Sequence, residues 1–283
     1  MLTPIKFSVV IPFGGNPELL VETIDSVFKQ SYRNWDLTVI DDGTNLKLDS
    51  YLAGYLDRIN LVILPQKVGI VNIFDLAIDT LVGEVGMILG ADDVLEKEFF
   101  YHMAEAWYKN PEVSLVHPKV ITINEDSTLQ VGFLDGFKRL ISPTNFKEIL
   151  KGRFLTYSLI NGNWMYFTSS TFKVNLLKEL RFRPEFSIAM DWDLALRMAI
   201  SGHSFGYSNQ SIFYYRRHRN SFSMREDSSR IRLEEELRVL KCAGKIARER
   251  GFFDIWLISR FHIYSQLNFL FRKITSHIKN RSS

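Results

Sequence analysis

The chain opens with short apolar runs separated by polar loops. Phe7-Ser8-Val9-Val10-Ile11-Pro12 is β-rich and stops at Pro12 and Gly14-Gly15, which predicts a buried strand. Asn16-Pro17 then reads as a helix start, with Asn as cap and Pro in the first turn. Leu20, Ile24, Val27 and Phe28 follow at helical spacing. Leu37–Ile40 and Leu61–Leu64 predict two more strands, and a helix is expected over 71–81. A strand over Val85–Leu89 follows, then a helix from Glu96 to Lys109 and a strand over Ser114–Ile123. This alternation predicts βαβ units and a mostly parallel central sheet flanked by helices. In such sheets ligands bind beyond the carboxyl ends of the strands. The loops Pro12–Asn16, Asp41–Thr44 and Gly90–Asp93 are therefore expected along one edge.

The second half is less regular. Ser127–Phe133 is strand-like and Asn145–Lys151 reads as a short helix. A helix is expected over Asp191–Ser201, a β-rich segment over Ser204–Tyr215, and a charged helix over Ile231–Arg250 closed by Gly251. From Phe253, the positions Trp256, Leu257, Phe261, Tyr264, Leu267, Phe271, Ile274 and Ile278 recur mostly every three or four residues. Two readings of this amphipathic tail stand side by side: an interfacial membrane helix, or packing on the catalytic domain or a dimer partner. The expected organisation is a domain over 1–225, divided near 123, and a helical extension over 226–283.

Composition narrows the class. Of 283 residues, 46% are hydrophobic and 24% charged, the proportions of a globular protein rather than a disordered or polytopic one. The net charge of +3 is too small to announce nucleic-acid binding. It is also uneven: residues 252–283 hold five Lys/Arg against Asp254, so the basicity belongs to the tail. The lone Cys242 excludes an intrachain disulfide and fits a reducing compartment. No apolar leader core and no run of about 18 apolar residues is found. The expected location is cytoplasmic, with peripheral attachment to the inner membrane as an option through the tail.

Candidate chemistry sits in the loops. Asp92-Asp93 are adjacent carboxylates, whose repulsion calls for a cation or donors. At a strand end they suit Mg²⁺ or Mn²⁺ completed by substrate phosphates; a turn with a helix cap is the bland alternative. Asp41-Asp42-Gly43 serves either as a tight turn or as an acceptor for a nucleotide. Asp191 and Asp193 open a helix, where capping and general-base duty both suit a carboxylate. His218 lies in the basic run Arg216–Arg219 and offers either a metal ligand or a phosphate contact.

Four segments in order, SVVIPFGGN, LTVIDDGT, GEVGMILGADD and MDWDLALR, resemble the family 2 inverting glycosyltransferases of the GT-A fold. The resemblance covers roughly residues 5–218. It implies a nucleotide-sugar donor, a divalent metal (Mn²⁺ or Mg²⁺) and an acceptor on a growing surface or lipid-linked glycan. Asp42 then matches the aspartate that reads the nucleotide base, and Pro12, Phe13 and Asn16 the segment lying against the nucleotide. Asp92 and Asp93 match the ribose- and metal-binding pair, with Asp93 the direct ligand. Asp191 matches the general base. Arg216 and His218 match a segment approaching the diphosphate, with His218 a further candidate metal ligand. Trp164, near Asn161, Asn163 and Tyr166, reads either as an acceptor wall or, with Phe167, as core, and Asp193 is a further candidate acceptor contact.

The sequence departs from the family pattern at three places. Gly90 replaces the first acid of D-A-D-D, Met190 replaces the Glu before the base, and Phe74 falls where an Arg is usual. Lys67, Arg216 or Arg217 would supply the missing positive charge. These departures motivate a non-catalytic scaffold as the main alternative. A sugar nucleotidylyltransferase would carry a basic Gly-rich loop after the first strand, and an NAD enzyme a G-x-G-x-x-G; neither is present.

Overall fold

In a computed structural model, residues 4–130, 142–143, 148–217 and 228–261 are described, with only the backbone given at 228–230. Strands β1 (Phe7–Phe13), β2 (Trp35–Asp41), β3 (Asn60–Ile63) and β4 (Val85–Ile88) form a parallel block in the order β3-β2-β1-β4. The sheet continues through β8 (Thr171–Lys173), β6 (Leu115–Ile123) and β9 (Phe205–Arg216) to β5 (Val94–Leu95), and β7 (Ile149–Leu150) pairs with β9. This second block is mixed: β8 runs antiparallel to β4 and β6, whereas β6 and β9 are parallel.

β1 shows why the apolar runs are continuous. Phe7, Val9, Ile11 and Phe13 join one hydrophobic cluster, with Leu20, Ile24 and Val27 of α1 (Pro17–Phe28) and Phe99, Phe100 and Met103 of α4 (Phe99–Lys109). Val10, with Ile40 and Ile88, joins the other, which includes Ile73 and Ala77 of α3 (Ile70–Thr80). Successive side chains point to opposite faces, so a sheet covered on both sides must be apolar throughout. A short helix, α2 (Leu48–Tyr51), lies between β2 and β3.

The helices α5 (Gly152–Ile160), α6 (Val174–Leu180) and α7 (Met190–Ile200) pack in the second cluster with α8 (Ser228–Glu249) and α9 (Phe253–Ile258). α8 is closed just beyond its end by Gly251, whose φ is +78°, and Phe252 N donates to Ala247 O at 2.8 Å. Most expected elements fall within a few residues of their observed bounds. The expected helix over 145–151 is corrected where it is described: Ile149–Leu150 is a strand, because the edge of β9 supplies its ladder partners. Most of the tail lies at 262–283, outside the described residues, as do 131–133 of the expected strand. No helix among the described residues is long and apolar enough to cross a membrane.

Candidate active site

The parallel register aligns the strand ends. Phe13 lies beside Asp41, and Val10 beside Ile88. The loops after β1, β2, β3 and β4 therefore gather at one edge, as the strand-end rule requires. Asp42 N donates to Phe13 O at 2.8 Å. The Asp42 carboxylate is buried and accepts from Val68 N at 2.7 Å and Gly69 N at 3.3 Å, pinning the loop that leads into α3. Gly43 has φ +60°, and a Cβ there would lie 2.4 Å from the Gln66 carbonyl carbon, so two loops meet only because residue 43 lacks a side chain. Lys67 is exposed beside this contact. Asp41 is fully buried; one oxygen accepts from Thr44 N at 3.0 Å and the other has no partner among the described residues.

Pro12 is partly exposed and Asn16 exposed, with the Asn16 side chain capping α1 through Glu18 N at 2.9 Å. Phe13, expected against the nucleotide, is instead fully buried in the first cluster. The backbone at 13 still belongs to the loop edge; its ring does not.

The acid pair is split. Asp93 is 1% exposed, and its carboxylate accepts from Arg216 N at 3.0 Å and from the Thr168 hydroxyl at 3.1 Å. Burial, aided by the Asp92 charge, pushes its carboxyl well above the ordinary range, against the opposing pull of those donors. A Cβ at Gly90 would lie 2.4 Å from Asp93 Oδ2. The glycine that departs from the family pattern thus makes room for the inward-turned Asp93. Enclosed in this way, Asp93 does not present the metal-facing carboxylate expected of it, whereas Asp92 is partly exposed.

Arg216 is likewise corrected. Its side chain is fully buried; Nε donates to Asp92 O at 2.8 Å, and the terminal nitrogens to Asn124 O, Glu125 O, Ser127 Oγ and Glu22. In this position it ties β9 to the 92–93 turn and the 124–127 turn rather than meeting a phosphate. Glu22, Ser127 and Thr168 carry no family motif and were missed by the sequence. His218 lies outside the described residues.

Asp191 sits in the first turn of α7 and is partly exposed. Its Oδ2 accepts from Asn163 Nδ2 at 3.1 Å and its Oδ1 from Trp192 N at 2.7 Å, which fixes the rotamer. Asn163 and Asp191 form the polar wall of a narrow cavity otherwise lined by apolar side chains including Met165, Phe167, Leu194 and Met198. Asp193 faces elsewhere. It is 2% exposed and held by Arg197 at 2.7 Å and Arg183 at 3.4 Å, while Arg197 also caps Leu180 O and Arg181 O. Trp164 is 2% exposed, its Nε1 donates to Ser158 Oγ at 3.2 Å, and His117 packs against it edge-on. Both side chains are enclosed by these partners and hold the scaffold under α7.

One segment joins the two sides. Asn163 contacts Asp191, and five residues later Thr168 contacts Asp93. Even fully extended, five residues span at most about 18 Å, so the acid pair and Asp191 belong to one region.

The donors present bear on a metal as follows. Among the described residues no three His, Cys, Asp or Glu cluster for an ion. Asp92 remains as one partly exposed carboxylate at the strand edge. One carboxylate plus substrate phosphates is a set that suits Mg²⁺ or Mn²⁺, which keep several waters and dispense with an all-protein cage.

The model of the glycosyl transferase family 2 domain matches residues 8–173. The chain belongs to glycosyl transferase family 2. Among relatives of this family 2 chain, glycosyltransferase GlyG of Streptococcus pneumoniae serotype 4 is 22% identical over 232 residues, 77% of this chain and 73% of GlyG. The amylovoran biosynthesis glycosyltransferase AmsB of Erwinia amylovora is 33% identical over 99 residues, a third of each chain. A Sinorhizobium fredii protein, y4gI, is 28% identical over 67% of this chain, which spans only 20% of that protein's length. Staphylococcus aureus TarS residues 1–349, in complex with UDP-GlcNAc, superposes with a TM-score of 0.64 at 16% identity over 89% of this chain and 72% of TarS. That likeness establishes the GT-A type of α/β fold.

Proposed function

We propose that this chain transfers a sugar from a nucleotide diphosphate-sugar to an acceptor hydroxyl with inversion at the anomeric carbon. The observation that carries the reading is Asp191. It is a partly exposed carboxylate with its rotamer fixed by Asn163 and Trp192, in the same region as the strand-end acids. Asp42, Pro12, Asn16 and Lys67, with the loop at 64–69, hold the nucleotide. Asp92 would hold a divalent metal, which when bound would supply charge stabilisation to the leaving diphosphate. Asp191 takes the proton of the acceptor hydroxyl while its oxygen attacks the anomeric carbon opposite the leaving group. The bond to the diphosphate breaks in the same displacement.

Support for a uridine donor comes from TarS, crystallised with UDP-GlcNAc, and from GalNAc-T7, crystallised with UDP, GalNAc and Mn²⁺ (TM-score 0.57). Support for a polysaccharide or other surface-glycan acceptor comes from AmsB and its named pathway. Docking to a lipid surface is supported by Phe253, Leu257 and Phe261, which recur every four residues and are 62%, 52% and 60% exposed beside Arg260. Cosedimentation with anionic liposomes should fall when all three are changed to Ser; unchanged binding removes that attachment.

The experiment for the central reading is Asp191→Asn, assayed against UDP-, GDP- and dTDP-sugars with a lipid-linked acceptor extract. Turnover should fall by about 10²–10⁴, the usual weight of a positioned base, with donor binding retained by calorimetry. Near-normal turnover in the variant removes Asp191 from the role.

A further inference from the structure

Asp191 and the residues that lead into it along the chain lie beyond the segment that the family model matches, 8–173. Glu235, on α8, is 3% exposed, although it sits within the acidic run Glu234–Glu236 of a charged helix. Its carboxylate accepts from Ser187 N at 3.0 Å, Ile188 N at 2.7 Å, Ala189 N at 2.9 Å and the Ser187 hydroxyl at 2.8 Å. Those residues are the approach to α7, whose N-cap is Ala189 and has no side-chain acceptor of its own. Residue 190, next to Asp191, is a buried Met. Asp191 and Asp193 already place negative charge in the first turn, where the dipole favours it, and Glu235 of α8, 46 residues beyond Ala189, adds a buried carboxylate just ahead of them.

A second contact reaches the other support of Asp191. Asp254 on α9 accepts from Arg153 at 3.2 Å and from the Tyr157 hydroxyl, both on α5. Leu159 O of α5 accepts from Trp192 Nε1 at 2.8 Å, and Asn163 follows directly after this helix. α8 packs closely against the end of α9: a Cβ at Gly244 would lie 2.1 Å from Oγ of Ser259, the residue after α9.

We propose that the α8–α9 pair is a clamp that positions Asp191, with Glu235 as the positioning residue that fixes the 187–189 approach. The clamp rests on the reading of Asp191 as general base. A carboxylate that receives three successive backbone N–H groups sets their direction, and with it the angle at which α7 presents its first turn. A purely structural anchor would make the same bonds without affecting turnover, so stability alone cannot separate the two.

Glu235→Gln keeps the volume but exchanges one acceptor oxygen for a donor. In hydrogen–deuterium exchange on the full chain, peptides covering 186–193 should exchange at least tenfold faster in this variant, with α1 and α4 unchanged. Turnover on the panel of UDP-, GDP- and dTDP-sugars should fall at least tenfold in kcat, with the donor KM within twofold. Ser187→Ala, which removes only the hydroxyl donor, should fold normally and lose about two- to threefold in kcat. Faster exchange with normal kcat makes Glu235 an anchor only and overturns the clamp, as does unchanged exchange. Asp191→Asn is run in parallel. If it is inactive while Glu235→Gln turns over normally, the clamp alone fails. If Asp191→Asn retains turnover, the base assignment fails on its own evidence, whatever Glu235→Gln does.

Discussion

Asp42 and Asp191 reach their places by different routes. Asp42 is delivered by the parallel sheet: β1 and β2 pair residue by residue to Asp41, and the next residue falls at the strand edge. Its partners, Val68 and Gly69, come from the next strand–helix loop. Asp191 is delivered by no strand. Its helix start is held by Glu235 from 46 residues downstream of Ala189, and its carboxylate by Asn163 from 28 residues upstream. The proposed nucleotide loop thus follows from strand order, whereas the proposed base depends on packing between elements that are not strand neighbours. Changes near Asp42 should act through the loops alone, and changes that loosen the second block should act on Asp191 or on the whole fold.

The hardest break of this comparison is Arg216→Met. Arg216 closes the turn at 92–93 from β9 and leaves backbone acceptors at Asp92, Asn124 and Glu125 without their donor when truncated. Each buried carbonyl left without its donor costs about 1–3 kcal/mol, while Glu22, half exposed, stays solvated. A lowered urea midpoint is expected. A variant of normal stability that has lost only nucleotide affinity would return Arg216 to the diphosphate.

The acid pair sharpens the comparison at the next size of effect. Asp92→Asn should lower turnover about 10²-fold and shift the metal concentration needed for half-maximal rate upward. Asp93→Asn should keep most activity, because burial already raises the Asp93 carboxyl toward its neutral form. The reverse order of effects, with Asp93 the sensitive position, would mean that the side chain turns outward when donor binds.

How much of this was legible follows from the same contrast. The strands of the first block were readable because a doubly covered sheet forces unbroken apolar runs, and Phe7–Phe13 lies within a residue of its expected bounds. The departure at Gly90 was readable as a change, but its meaning needed Asp93 Oδ2 in the space a side chain would fill. Trp164 was not readable, since an aromatic beside polar residues serves a wall or a core equally well; Ser158 and His117 decide for the core. In the sequence, Glu235 is one of many charges on the helix expected over Ile231–Arg250. The signal for it was indirect: Ala189, at the cap position of α7, has no side-chain acceptor to offer, and its N–H is met by Glu235.

Gly43 tests the local route alone. A side chain at φ +60° whose Cβ lies 2.4 Å from the Gln66 carbonyl carbon forces the 42–44 and 64–69 loops apart. Gly43→Ala should cost about 1–3 kcal/mol and weaken UDP binding, while exchange at 186–193 stays as in the parent. Loss of protection there as well would show that the two routes are coupled.

The smallest expected effect is a pH dependence, and it tests the long-range route. Burial raises the Glu235 carboxyl, but the three backbone N–H groups of Ser187, Ile188 and Ala189 and the Ser187 hydroxyl outweigh it and hold it below its ordinary value of 4.5. A carboxyl depressed in the folded state contributes stability that is fully present above the unfolded value and is lost as pH falls through the folded one. Between pH 7 and pH 4, the parent should therefore lose more stability than Glu235→Gln, whose amide does not titrate. Urea midpoints at both pH values measure the difference. Equal losses in the two proteins would mean that the carboxylate is not held by its N–H donors, and the clamp would lose its physical basis before any sugar is transferred.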